Sequence, residues 1–306
     1  MGDLLWFAYG RSAQCDPALY YPSLPVLEEV ARSTPGRIVG IDCLPPSVGA
    51  ARELRDIRGY DSVDPARFIE LMKIGGNIPS GAMREALTEN LTPRMTVTSE
   101  GEMRLSPVLD MLGVRYVIGR GIPPPTARPA FQGVDYWVAV NSNALTRTFI
   151  PRRVETVPED KARLEKLAAE EFDAREVAYV ESPVNLPGPC RGTASIAEEI
   201  LTHITVSVRM ETPGLVVLAD LWDKGWRAYL NGQRLPILRT NHAVRGVMAP
   251  AGSGTLEFRY EPASFAWGLR LSGLAAGVLL VWGIIGLRPN RQRPDLGDAR
   301  SALSPG

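Results

Sequence analysis

Trp222, Asp223, Trp226 and Tyr229 fall within one short stretch, around Asp223-Lys224-Gly225, whose composition is that of a turn between strands. Aromatic faces with a few polar neighbours suit sugar rings, whose axial C–H bonds stack on π-systems. The competing reading is that Trp226 and Tyr229 fill a β-sandwich core or a contact with the preceding unit, since aromatics dominate cores by buried area. Arg58, Tyr60 and Asp61 make a second polar-aromatic cluster on a loop, where binding residues concentrate. An inter-domain network of ion pairs and hydrogen bonds is the alternative there.

Reactive chemistry has thinner support. Asp220 and Asp223 flank Trp222, and two carboxylates near an aromatic could form a glycosidase-like acid/base pair. At i and i+3 around a turn they fit loop and capping roles better, and geometry decides. His203 and His242 are the only histidines, and no cysteine or carboxylate spacing joins them into a metal pattern. Gly36 to Gly40 is not a dinucleotide fingerprint, no P-loop appears, and no serine sits in a GxSxG context. No catalytic residue, metal ligand or cofactor is assigned, and the chain by itself reads as a non-enzyme. Cys15, Cys43 and Cys190 form neither a CxxC pair nor a disulfide framework, although Cys15 and Cys43 could pair in an oxidising exterior. With 34 basic and 34 acidic residues, the electrostatic case for nucleic-acid binding is gone.

The elements that would position these residues read as α+β. Residues 1–183 have the pattern of a mixed α/β domain. Pro22 to Arg32 is helix-like, Arg37 to Ile41 a short apolar strand, and Asp64-Pro65 an N-cap followed by a first-turn proline. Leu105 to Leu112 reads as a helix leading through Gly113 into the strand Val114 to Gly119. Tyr136 to Val140, Leu145 to Ile150 and Arg175 to Val180 follow as strands, with an amphipathic helix after Pro158. Pro183 to Pro189 is the expected boundary.

Residues 184–264 have the strand spacing of an antiparallel, jelly-roll-like β-sandwich. Ile204, Val206 and Val208 alternate with polar residues, and Leu215 to Leu221 suits a strand buried on both faces. Asn231-Gly232 predicts a tight hairpin between Arg227–Leu230 and a return strand Gln233–Leu238, with Pro236 marking an edge. Val244 to Ala249 and Thr255 to Tyr260 complete the set.

Residues 265–288 are the expected transmembrane helix. Leu271 to Leu287 carries no charge, which meets the lower limit of about 17 apolar residues. Arg270 can snorkel, and Trp267 and Trp282 stand near the two ends. Arg288, Arg291 and Arg293 just beyond it place residues 289–306, a Pro/Gly/Ser-rich tail, in the cytoplasm and the N-terminal bulk outside. The start of the sequence has no signal-peptide pattern, so the expectation is the end of a longer membrane protein, with a tail anchor as the alternative. The lipid bilayer is the expected partner.

Four places carry a family resemblance: Asp3 to Gly10 with Leu19 to Pro22; Glu53 to Asp61; Leu109 to Ile118; and Asp220 to Arg245, followed by Phe258 to Pro262. In the fourth, a Gly-Trp, a Tyr-x-Asn-Gly and a downstream Arg-Gly recur. On these residues the chain resembles the C-terminal extracytoplasmic portion of bacterial YfhO-type membrane proteins, relatives of the GT-C class of polyprenyl-linked glycosyltransferases. The resemblance implies an accessory region in cell-envelope glycosylation. Other membrane helices, lipid-linked sugar or envelope polysaccharide would then be partners. The family's catalytic acids sit in an early loop between N-terminal membrane helices, so none carries over to a residue here. A membrane-anchored carbohydrate-binding module and a purely structural unit remain as alternatives.

Overall fold

The computed structural model describes residues 6–7, 9, 16, 23–59, 64–78 and 87–286. It is an α+β protein of two units, Met1–Tyr260 and Glu261–Gly306. The first is sheet-rich and the second holds the apolar helix.

The helix Pro25–Arg32 forms where Val26, Leu27 and Val30 share a face and proline sits in the first turn. That face buries against Ile38, Tyr116, Ile118 and Val138 of a five-stranded sheet. The sheet order is Arg55–Asp56, Arg37–Ile41, Val114–Arg120, Tyr136–Val140, Phe131–Gln132; the first three strands are parallel and the rest antiparallel. The expected helix from Leu105 is shorter, Pro107–Met111, because Met103–Leu105 is taken up in a hairpin with Met95–Val97. Gly113, at φ +72, makes the helix-to-strand step.

Asp64 does not cap the helix Ala66–Gly75. Its carboxylate accepts instead from the amide and hydroxyl of Thr88, at 3.0 and 3.1 Å, and Pro65 stands at the cap position. The helix buries Phe68, Leu71 and Met72 regardless.

A six-stranded sheet follows the order Thr148–Phe149, Gly214–Leu221, Val244–Ala249, Leu238–Thr240, Val177–Val180, Arg153–Thr156, with only the last pair parallel. The expected boundary at Pro183 to Pro189 falls inside this sheet, which draws strands from both sides of it. A second, five-stranded antiparallel sheet runs Gly192–Ile200, His203–Met210, Gly252–Tyr260, Trp226–Leu230, Gln233–Leu235. The two pack face to face through Val216, Leu218 and Val247 on one side and Val206, Ala228, Leu256 and Phe258 on the other. Leu215, Val217 and Ala219 point the opposite way, into a core shared with Leu71, Leu109 and Ala178. The stretch 215–219 is therefore buried on both faces, as its apolar run predicts. Each buried Val or Leu of this strand contributes about 2 kcal/mol by leaving water.

Asn231 (φ 50) and Gly232 (φ 82) form the tight hairpin turn. The return strand is not continuous to Leu238. Gln233–Leu235 stays with the hairpin and Leu238–Thr240 joins the other sheet, because Pro236 cannot donate a ladder bond and the chain crosses there.

The second unit's helix is Ala263–Gly286, 24 residues, about 36 Å at 1.5 Å per residue. Its apolar side chains are exposed, and it is long and apolar enough to cross a membrane. It starts two residues earlier than expected. The Arg270 guanidinium lies 5.2 Å from the Trp267 ring centroid. The expected tail, 289–306, lies outside the described residues.

Candidate aromatic binding cleft

The site is built where Gly214–Leu221 ends. The Trp222 amide donates to the Ala243 carbonyl (2.7 Å), extending the pairing by one residue before the chain turns. Asp223 then makes an Asx turn, its Oδ1 accepting from the Gly225 amide at 2.7 Å. Gly225 is required by close approach, since a Cβ there would meet the Tyr260 ring at 2.6 Å. Trp226 opens the next strand, and alternation sends Trp226, Ala228 and Leu230 toward the sandwich core and Arg227 and Tyr229 outward.

Trp222, Asp223 and Trp226 line an open cleft of about 500 Å³, joined by Lys224, Arg227, Arg234 and the Leu235-Pro236-Ile237 crossing. Tyr229 does not line it. That ring lies on the outer sheet face, 4.8 Å beneath the Arg259 guanidinium.

Each tryptophan is backed by an arginine that a carboxylate holds. Arg239 stacks 4.0 Å from the Trp222 ring and donates to Glu181 at 3.2 Å. Arg245 stacks 4.0 Å from Trp226 and donates to Asp220 at 3.0 Å. Cation–π contact and ion pairing together fix the ring planes, so little side-chain freedom is left to lose on binding. The two rings differ otherwise. Trp226 packs against the sandwich core and tilts against Tyr260 at 5.2 Å, whereas Trp222 joins none of the hydrophobic clusters among the described residues.

Asp220 is not half of an acid/base pair. Arg147 holds it through two bonds (2.7 and 2.9 Å), Arg37 through one (2.7 Å), and Arg245 through a fourth (3.0 Å). Burial alone would raise its carboxyl, but the Arg147 hydrogen bonds and the Arg37, Arg147 and Arg245 charges hold it down to about 2. A carboxylate so placed stays ionised and is occupied. Asp223 serves its own turn. Burial pulls Arg245 down to about 10 even against the Asp220 charge, and its Nε and Nη1 have no hydrogen-bond partner. Glu199 closes the far side of the cluster through Arg147 and Arg55. These two arginines overcome the effect of burial and hold Glu199 down to about 2.

Arg58 is buried and grips Asp56 with Nε and Nη2 (3.0 and 2.7 Å) while donating to the Leu44 carbonyl at 2.6 Å. It braces a loop whose Leu44 sits at φ 60. It also lines a second cleft, of about 460 Å³, with Arg37, Asp64, Phe68 and Asp220. Tyr60 and Asp61 lie outside the described residues.

A further polar junction has no signal in the sequence. His242, buried at φ 75 directly after Asn241 at φ 44, places Nε2 2.7 Å from Glu70 and Nδ1 3.3 Å from the buried Arg163. Arg163 also pairs with Asp160 and Glu181, and Arg67 with the same two carboxylates. Burial lowers the His242 imidazole despite the Glu70 hydrogen bond. Among the described residues no three His, Cys, Asp or Glu side chains are grouped to hold a metal ion. Cys43 and Cys190 carry free thiols.

Fold and cleft together define an α+β protein with a two-sheet sandwich, an aromatic–cationic surface cleft and one apolar helix of membrane-spanning length. Protein-family models, curated proteins and solved structures give no match to the chain.

Proposed function

We propose that this chain is a membrane-anchored carbohydrate-binding unit whose cleft takes a sugar ring against Trp222. The observation that carries the reading is Trp222 itself: it is half-buried on an open cleft, fixed from behind by Arg239, and committed to no core among the described residues. An apolar ring face kept accessible and rigid beside Asp223, Lys224 and Arg234 suits a ligand with one apolar face and a polar edge. Trp226 is better suited to support, since it packs on the sandwich core.

In the setting that the resemblance to YfhO-type proteins implies, this unit is an extracytoplasmic accessory region beside the membrane machinery of cell-envelope glycosylation. It faces outward, with the C-terminal tail inside. Lipid-linked sugar or envelope polysaccharide would then be the ligand, and the catalytic loop lies elsewhere in that machinery. The test is affinity electrophoresis of the full chain through gels carrying envelope polysaccharides. Retardation that Trp222→Ala abolishes without lowering the melting midpoint supports the reading. If Trp222→Ala lowers the midpoint while retardation persists, Trp222 is a packing residue and the cleft is not the site.

A further inference from the structure

The hairpin of Gly192–Ile200 and His203–Met210 turns at Leu201-Thr202, and its tip is apolar where turns are usually polar. Ile200 is 64% and Leu201 98% exposed. Single exposed apolar residues are ordinary on protein surfaces, and Ile122 and Val134 are of that kind. Two in succession at the outermost point of a hairpin present a small apolar wedge.

The position of this wedge within the first unit gives it a use. The Tyr260 amide donates to the Thr202 carbonyl at 2.8 Å, and Arg259 pairs with His203. Tyr260 is the last residue of the first unit. The tip therefore stands beside the point where the chain leaves that unit. Ala263, the first residue of the apolar helix, is three residues on, a step of about 10 Å at most. Of the carboxylates near the tip, Glu257 is held by Arg259 at 2.7 Å and Glu199 by Arg55 and Arg147, while exposed Glu261 directly follows Tyr260. Exposed Glu198 stands two residues back from Ile200.

We propose that the Ile200-Leu201 tip enters the lipid interface, giving the folded unit a membrane contact beyond its covalent tether. The proposal depends on the helix crossing a membrane and not on what the Trp222 cleft binds.

The experiment uses the full chain in lipid nanodiscs, in a Cys15→Ser, Cys43→Ser background that leaves only the buried Cys190. An environment-sensitive fluorophore is attached at Leu201→Cys and, separately, at Val134→Cys, an equally exposed turn position in another sheet. Both sites are exposed, so neither substitution opens a core, and an unchanged melting midpoint confirms this. The expected result is blue-shifted emission at 201, quenched several-fold more strongly by nitroxide-bearing lipids than emission at 134. A probe at 201 as wet as that at 134 overturns the proposal. So does one that is blue-shifted but insensitive to the lipid quencher, which assigns the tip to a protein partner. Equal strong quenching at both sites also overturns it, since the unit would then lie on the bilayer without using the tip.

Discussion

At the scale of single residues, Asp220 ties together three arginines of the first unit. It is the one carboxylate shared by Arg37, Arg147 and Arg245. Replacing it by asparagine leaves three guanidinium groups without their common counter-charge, which costs about 3–5 kcal/mol. Thermal unfolding of Asp220→Asn should show a sharply lower midpoint, and an unchanged one would mean that the arginines find other partners. The pH dependence follows from the same groups. Asp220 and Glu199 are each held at about 2, below their ordinary 3.8 and 4.5, so their stabilisation is complete above those ordinary values and is lost as pH falls through about 2. His242 is lowered from 6.5, so folding favours its neutral form; its contribution is complete above 6.5 and is lost as pH falls through the depressed value. Midpoints recorded between about pH 7 and 5 should therefore decline, and His242→Gln should flatten the decline. A slope that survives the substitution assigns the loss to other groups. At this scale the cleft was legible and the ion network was not. Trp222, Asp223 and Trp226 are neighbours in the sequence and a turn brings them together, whereas Arg37, Arg147, Asp220 and Arg245 meet only through strand pairing and the packing of one sheet on another, which no local pattern encodes. Asp220 and Asp223 looked alike in sequence, and only the surrounding arginines separate their roles.

At the scale of elements, the strands with a clear period or a demanding turn were readable. Asn231-Gly232 announced its hairpin because both residues take positive φ, at 50 and 82. Gly232→Val should cost about 1–2 kcal/mol, since a β-branched residue is strained there. Urea unfolding reads that loss directly, and an unaffected midpoint would show that the turn relaxes without it. The strand Gly192–Ile200 escaped the sequence because Ala194 and Ile196 are its only inward apolar residues after Gly192 and its far half is exposed. The return strand read as Gln233–Leu238 split for a reason visible in hindsight. Pro236 marked an edge, and the edge proved to be the crossing between two sheets. That same crossing supplies the Leu235-Pro236-Ile237 wall of the cleft, so the irregularity positions the site.

At the scale of the molecule, α+β architecture and a C-terminal apolar helix were both legible, the helix from its length and lack of charge. The sharing of one sheet across Pro183–Pro189 was not, because a proline-rich connection has the same composition whether it joins two bodies or two strands of one sheet. Under the proposed placement, a tag fused after Gly306 should resist protease added outside intact cells while the sandwich is cleaved; cleavage of the tag alone would reverse the orientation. The most direct measurement follows the Trp222 indole N–H resonance of the full chain in nanodiscs during titration with neutral and acidic oligosaccharides from bacterial envelopes. A saturable shift at Trp222, lost in Trp222→Ala with the rest of the spectrum unchanged, is the predicted result. A resonance that stays fixed across the whole panel would contradict carbohydrate binding in this cleft.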